Sequence, residues 1–176
     1  MSFSDPSYNI EQFNLQSGMK VADFGAGSGF YALAAAKAVG DKGKVYAIDV
    51  QKDLLDKLKS EASHKGFHNV EVLWGDVARL GGTKLRDQSV DAVIIANLLF
   101  QIEEKQELVN ETRRVLKPKG RVMLVDWSES YGGIGPIQGH VVNRRAGRDL
   151  FEPSGFVFER DIRAGSHHWG VVLRKS

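Results

Sequence analysis

The chain has 176 residues, 42% hydrophobic and 26% charged, with 24 basic against 22 acidic side chains. That composition fits a soluble globular domain, and the near-neutral balance weighs against a nucleic-acid partner. No cysteine is present, which excludes disulfides, thiolate nucleophiles and thiolate metal centres. The start Met1-Ser2-Phe3-Ser4-Asp5-Pro6 lacks the basic and apolar regions of a signal peptide, and the longest apolar runs, such as 92–100, are too short to span a membrane. A single cytoplasmic domain over residues 1–176 is therefore expected.

In chain order the pattern alternates strand and helix. Residues 7–14 read as a short lead-in helix. The first strand covers 20–24, and an alanine-rich helix follows over 29–39, closed by the turn Gly40-Asp41-Lys42-Gly43. The second strand covers 44–49. A helix over 52–65 sets Leu54, Leu55 and Leu58 on one face and lysines on the other. The third strand, 70–74, ends at Gly75-Asp76. Residues 77–89 are short and polar, with Gly81-Gly82, where a larger protein carries a full helix. The fourth strand, 90–96, is the most apolar. A helix over 103–116 stops at Lys117-Pro118-Lys119-Gly120, and the fifth strand covers 121–127. The glycines and proline of 128–139 predict a mobile loop. A helix over 141–152 and two strands, 156–163 and 169–174, complete the chain. The segment joining these strands is too short for a crossover helix, so they form an antiparallel hairpin at the sheet edge. The predicted fold class is α/β: a doubly wound, mostly parallel seven-stranded sheet covered on both faces, with a C-terminal antiparallel hairpin.

The segment Val21-Ala22-Asp23-Phe24-Gly25-Ala26-Gly27-Ser28-Gly29-Phe30-Tyr31 carries the most chemical information. A strand ending in an acid turns through three glycines into a helix. Glycine lets backbone approach a ligand closely, and a helix start offers free N–H groups. Asp49 closes the next strand, 20 residues after Gly29, which is the layout of a nucleotide-type cofactor site. A dinucleotide fingerprint beginning at Gly25 requires glycine where the chain has Phe30. Asp23 also opposes a pyrophosphate, whereas a ligand with a cationic amino group and a sulfonium accepts it. In a doubly wound sheet the tips bearing Asp23, Asp49, Asp76 and Asn97 face one crevice. Acids at strand ends serve equally as helix caps and turn formers.

The pattern D-x-G-x-G-x-G over 23–29 resembles motif I of the class I S-adenosylmethionine-dependent methyltransferases, and the resemblance extends from about residue 18 to the end. It implies that Asp23, Gly25, Ala26, Gly27, Phe30 and Tyr31 surround the methyl donor. Asp49 matches the acid that holds the ribose hydroxyls, and the adenine would lie near Val50 and Gln51. Gly75-Asp76-Val77 is similar to the G-D-[AVI] motif, whose acid accepts from the adenine amino group. Residues 90–99 resemble motif IV, which puts Asn97 and Leu98 beside the methionine part and the reacting methyl. Residues 116–121 are similar to the family's L-K-P-G-G turn, with Lys119 at the first expected glycine and Gly120 supplying the flexible position. The subgroup resembled is the ubiquinone/menaquinone-biosynthesis-like enzymes, through Leu124-Val125-Asp126-Trp127, Gly135-Pro136 and His140. The chain departs from that pattern at Ile137 and Val141, and it lacks a long N-terminal cap or inserted lid.

The resemblance implies transfer of a methyl group from S-adenosylmethionine to a small-molecule acceptor by in-line displacement, releasing S-adenosylhomocysteine. Such a reaction runs largely on positioning and needs no protein nucleophile. A general base serves only an acceptor that must lose a proton early. His140 is the first candidate, with Asp126, Tyr131 and Glu129 behind it. His167 and His168 are adjacent on a strand and point to opposite faces, which argues against a two-histidine metal site. Phe30, Tyr31, Phe100 and Trp127 are aromatic candidates for the pocket wall or the core, and Arg144, Arg145 and Arg148 read as a solvated helix face. The alternatives are an RNA or protein methyltransferase, a non-catalytic S-adenosylmethionine-binding protein, and a nicotinamide oxidoreductase, the last disfavoured by Phe30 and Asp23.

Overall fold

Successive residues along the central strands are buried on opposite faces of one sheet, which is why those segments read as near-continuous apolar runs. The computed structural model describes residues 3–176. It contains the strands β1 (Lys20–Phe24), β2 (Lys44–Asp49), β3 (Val70–Trp74), β4 (Val90–Ala96), β5 (Leu116–Trp127), β6 (Phe156–Ile162) and β7 (His168–Lys175). The helices are α1 (Pro6–Phe13), α2 (Phe30–Val39), α3 (Lys52–His64), α4 (Lys105–Val115) and α5 (Arg144–Phe151). The strand order is β3-β2-β1-β4-β5-β7-β6. β1 through β5 are parallel; β7 runs antiparallel between β5 and the edge strand β6. This is the predicted α/β architecture with its C-terminal hairpin.

Two apolar layers sandwich the sheet. On one face Val21, Ala47, Ile94 and Met123 pack against Ile10 and Phe13 of α1, the alanines of α2, and Leu58 of α3. On the other, Phe24, Ile95, Leu124 and Val171 pack against Leu108 and Val115 of α4 and Phe151 of α5. The polar connection from β3 to β4 has no helix. Instead the buried Glu111 carboxylate accepts from the N–H groups of Gly81 (2.7 Å) and Thr83 (3.1 Å), and from Arg114 Nε (2.8 Å). One side chain thereby ties that connection to α4.

Two details differ from expectation. β5 begins at Leu116 instead of 121, because Leu116 bridges to Val90 before the register shifts. In the turn that follows, the left-handed conformation belongs to Lys119 (φ 67°) and not to Gly120. Gly120 is required for space: a Cβ there would lie 2.9 Å from Leu116 Cδ2 and 2.9 Å from the Lys117 carbonyl oxygen.

What positions the site is the switch in strand order. β1 pairs with β2 on one side and β4 on the other, so the connections leaving β1 and β4 run to opposite faces and part above the strand ends. The crevice opens at that point.

Candidate active site

Asp23 sits near the C-terminal end of β1 and is 2% exposed, and its Oδ2 has no hydrogen-bond partner among the described residues. Burial, and then the charge of Asp49, push this carboxyl up to about 7; the backbone N–H of Ala32 opposes the rise. The chain then turns at Gly25, with φ 70°. The positive φ favours glycine here, and a Cβ at Gly25 would lie 2.7 Å from Leu98 Cδ1 and push that side chain aside.

Four of the turn's N–H groups are already engaged. Those of Gly25 and Ala26 both donate to the Ile48 carbonyl at 2.9 Å, and that of Gly29 donates to the Ala26 carbonyl at 2.9 Å. The Gly27 N–H donates to Asp49 Oδ2 at 2.9 Å. The N–H groups of Ser28, Phe30 and Tyr31 have no partner among the described residues, as at any helix start. A buried carboxyl that keeps a free oxygen lies alongside, and it favours positive charge over a phosphate.

Two adjoining cavities lie above the strand tips. The first, about 500 Å³, is bounded by Ser4, Pro6, Asp23, the glycine turn, Phe30, Tyr31, Ala96, Asn97 and Gln101. The second, about 260 Å³, is bounded by Asp49, Val50, Gln51, Gly75, Asp76, Val77, Leu98 and Ile102, and it shares Gly25, Gly27 and Gln101 with the first. Every residue predicted from sequence to surround the methyl donor therefore lines one cavity or the other. Asp49 is buried at the junction, its Oδ1 accepting from the Gln51 N–H at 2.9 Å. Asp76 is partly exposed and also builds its own turn, accepting from the Ala78 N–H at 2.9 Å.

His140 lies apart from this group. It lines a third groove, about 390 Å³, with Phe100, Glu103, Lys105 and Val142, joined to the others through Gln101 and Ile102. Asp126 is fully buried; its Oδ2 accepts from the Leu99 N–H at 2.9 Å and anchors the turn after β4. Burial pushes its carboxyl up to about 6. Glu129 pairs with His167 Nδ1 at 3.0 Å, and Tyr131 stacks on the same imidazole with centroids 3.9 Å apart. The arginines of α5 are largely engaged: Arg144 bonds Asp161, Arg148 bonds Glu152, and both guanidiniums lie over the Phe158 ring.

Sequence reasoning missed Gln101, Ser4, Pro6 and His168. The leader segment that holds Ser4 and Pro6 forms one wall of the first cavity. The Tyr31 hydroxyl fastens that leader, bonding Ser4 Oγ at 3.0 Å and the buried Asn9 Nδ2 at 2.8 Å. Asp5-Pro6, a helix-start signature with the Asp5 carboxylate accepting from the N–H groups of Ser7 and Tyr8, was the available sign that the leader turns back on the fold. His168 reaches the site through Asn97, its Nε2 lying 3.0 Å from Asn97 Oδ1, while its ring packs on Trp127 at 4.3 Å. No local sequence pattern signals that meeting of β7 with the end of β4.

Comparison with known proteins gives a consistent picture. The sequence profile of a methyltransferase-domain family matches residues 15–142. An arsenite methyltransferase of Halobacterium salinarum is 34% identical over 109 residues, covering 62% of this chain and 27% of that protein. A demethylmenaquinone methyltransferase of Geobacillus stearothermophilus is 30% identical over 120 residues, covering 68% of this chain and 50% of that protein. The matches to these curated relatives thus span a half or less of their length. The crystal structure of a SAM-dependent methyltransferase from Aquifex aeolicus superposes with a TM-score of 0.89 at 31% identity, covering 99% of this chain and 91% of that one.

Proposed function

The chain belongs to the methyltransferase-domain family of S-adenosylmethionine-dependent proteins, and on that premise we propose that it transfers a methyl group from S-adenosylmethionine to a small-molecule acceptor, with S-adenosylhomocysteine as product. The observation that carries this reading is the unpartnered Oδ2 of buried Asp23, lining a cavity beside a glycine turn. A buried carboxyl with a free oxygen suits a cationic amino group and repels a pyrophosphate. Asp49 would hold the ribose hydroxyls, since a carboxylate keeps accepting capacity beyond its two backbone bonds. Val50, Gln51, Asp76 and Val77 would enclose the adenine. Phe30, Tyr31, Asn97 and Leu98 would flank the methionine part.

When bound, S-adenosylmethionine supplies an electrophilic methyl on a sulfonium, poised for in-line attack. The chain's own work is positioning and exclusion of water, which supplies roughly 7–11 kcal/mol of barrier reduction in well-oriented reactions. The leader through Ser4 and Pro6 closes one side of the cavity against solvent. His140 is the residue proposed to take a proton where the acceptor carries one, and its groove adjoins both cavities through Gln101.

Two curated relatives are named for arsenite and for demethylmenaquinone. Arsenic(III) is thiophilic and this chain carries no cysteine, so a carbon or oxygen acceptor of the quinone-like kind is favoured. The near-neutral charge argues the same way against RNA.

The test is transfer of labelled methyl from S-adenosylmethionine into small-molecule, RNA and protein fractions of a cell extract. Label is expected in the small-molecule fraction. Label confined to RNA or protein would overturn the acceptor class. A His140→Ala protein with undiminished turnover would remove that residue from a base role.

A further inference from the structure

His168 is a buried histidine that lines neither cavity. Its Nε2 lies 3.0 Å from Asn97 Oδ1, and its Nδ1 is buried without a partner. These facts fix both groups. A proton on Nδ1 would leave a buried N–H unsatisfied, whereas a proton on Nε2 leaves only a bare lone pair. The ring therefore donates from Nε2, and Asn97 must present its carbonyl oxygen to it. The amide nitrogen of Asn97 is left without a partner among the described residues, on a residue that lines the first cavity together with Asp23.

The rest of the local structure removes the remaining freedom. Asn97 is held in the left-handed region at φ 53°, which asparagine tolerates. Its backbone N–H donates to the Val125 carbonyl at 2.8 Å, and its backbone carbonyl accepts from Gln101 Nε2 at 2.8 Å. The His168 ring packs on Trp127, its register partner across β5 and β7. Burial, with the neighbouring His167, pushes the imidazole down to about 4, so it is neutral at pH 7.

We propose that His168 is a positioning residue: it holds Asn97 so that the amide nitrogen faces the cavity as a fixed donor to an oxygen of the bound ligand. The identity of that ligand rests on the methyl-transfer reading. The oxygen belongs either to the carboxylate of the methyl donor, with the ammonium at Asp23, or to the methyl acceptor.

Nitrogen-15 spectra of histidine-labelled protein test the arrangement directly. The neutral Nε2–H form of His168 is expected at pH 7; an Nδ1–H form or an imidazolium overturns the proposal, whatever the protein binds. Calorimetry with S-adenosylhomocysteine and with 5′-methylthioadenosine, which lacks the amino-acid tail, then locates the oxygen. His168→Phe and Asn97→Ala should each weaken S-adenosylhomocysteine about five- to tenfold, the scale of one hydrogen bond. His168→Gln should restore it, and 5′-methylthioadenosine should be unaffected. If the oxygen is on the acceptor, both ligands bind unchanged and kcat for transfer falls with KM for S-adenosylmethionine intact. Equal weakening of both ligands, or no loss of affinity and turnover in His168→Phe, overturns the proposal. Wild-type protein that fails to bind S-adenosylhomocysteine would instead defeat the methyl-transfer reading and leave the histidine result standing.

Discussion

Asp23→Asn should stabilise the ligand-free protein at alkaline pH and weaken ligand binding. The carboxyl is 2% exposed, Oδ2 has no partner, and the folded protein holds it at about 7 against an ordinary 3.8. A carboxyl raised in the fold is penalised when ionised. The penalty is absent below the ordinary value, grows as pH rises, and is complete above about 7. At pH 8 a shift of that size corresponds to at most about 4 kcal/mol. The asparagine amide brings a buried donor that recovers less than full solvation, so the expected net gain is about 1–3 kcal/mol. Urea unfolding should show that gain at pH 8 and a gap at least halved at pH 5. In the same protein S-adenosylhomocysteine should bind about 10- to 100-fold more weakly, the scale of a lost charged hydrogen bond. A variant less stable than wild type at pH 8, a gap independent of pH, or unchanged affinity would refute the reasoning.

Four further outcomes follow from the same geometry. Asp49→Ala should weaken S-adenosylhomocysteine by roughly 1–3 kcal/mol in calorimetry, because it removes the carboxylate that anchors Gly27 and Gln51 as well as the proposed ribose contact. Gly25→Ala places a methyl against Leu98 at a positive φ and should cost about 1–3 kcal/mol in denaturant unfolding. Tyr31→Phe leaves the buried Asn9 amide with only its bond to Ser4 Oγ and removes the leader's tie to α2; a loss of about 1–2 kcal/mol is expected, with faster proteolysis before residue 14. Lys119→Gly relieves a left-handed lysine and should raise stability by up to about 1 kcal/mol, net of glycine's chain entropy.

The sequence made the sheet and the strand-tip residues legible, for separate physical reasons. Burial on both faces writes a central parallel strand as an apolar run, and the run ends where the chain meets the crevice. Asp49 and Asn97 are therefore visible at the ends of such runs and Asp23 as the acid within β1, whereas Asp76 follows the exposed edge strand β3 and is marked only by the Gly75-Asp76 turn. The bond from His168 to Asn97 was not visible, because it joins β7 to the end of β4 across 71 positions. The same holds for Ser4 and Tyr31, 27 positions apart. Only the fold reveals that the Ile48 carbonyl and the Asp49 carboxylate take the N–H groups of Gly25, Ala26 and Gly27. The extra length of β5 rests on a bridge to Val90, a long-range pairing that no periodicity encodes.

One titration bears most directly on the cradle of strand-tip carboxylates. S-adenosylhomocysteine and NAD are titrated separately into the wild-type protein at pH 6 and pH 9, in buffers of differing ionisation heat. One S-adenosylhomocysteine should bind per chain, with proton release at pH 6 as Asp23 ionises against the ligand's ammonium, little release of that kind at pH 9, and no saturable binding of NAD. NAD binding more tightly than S-adenosylhomocysteine, or S-adenosylhomocysteine binding with no proton release at pH 6, would contradict it.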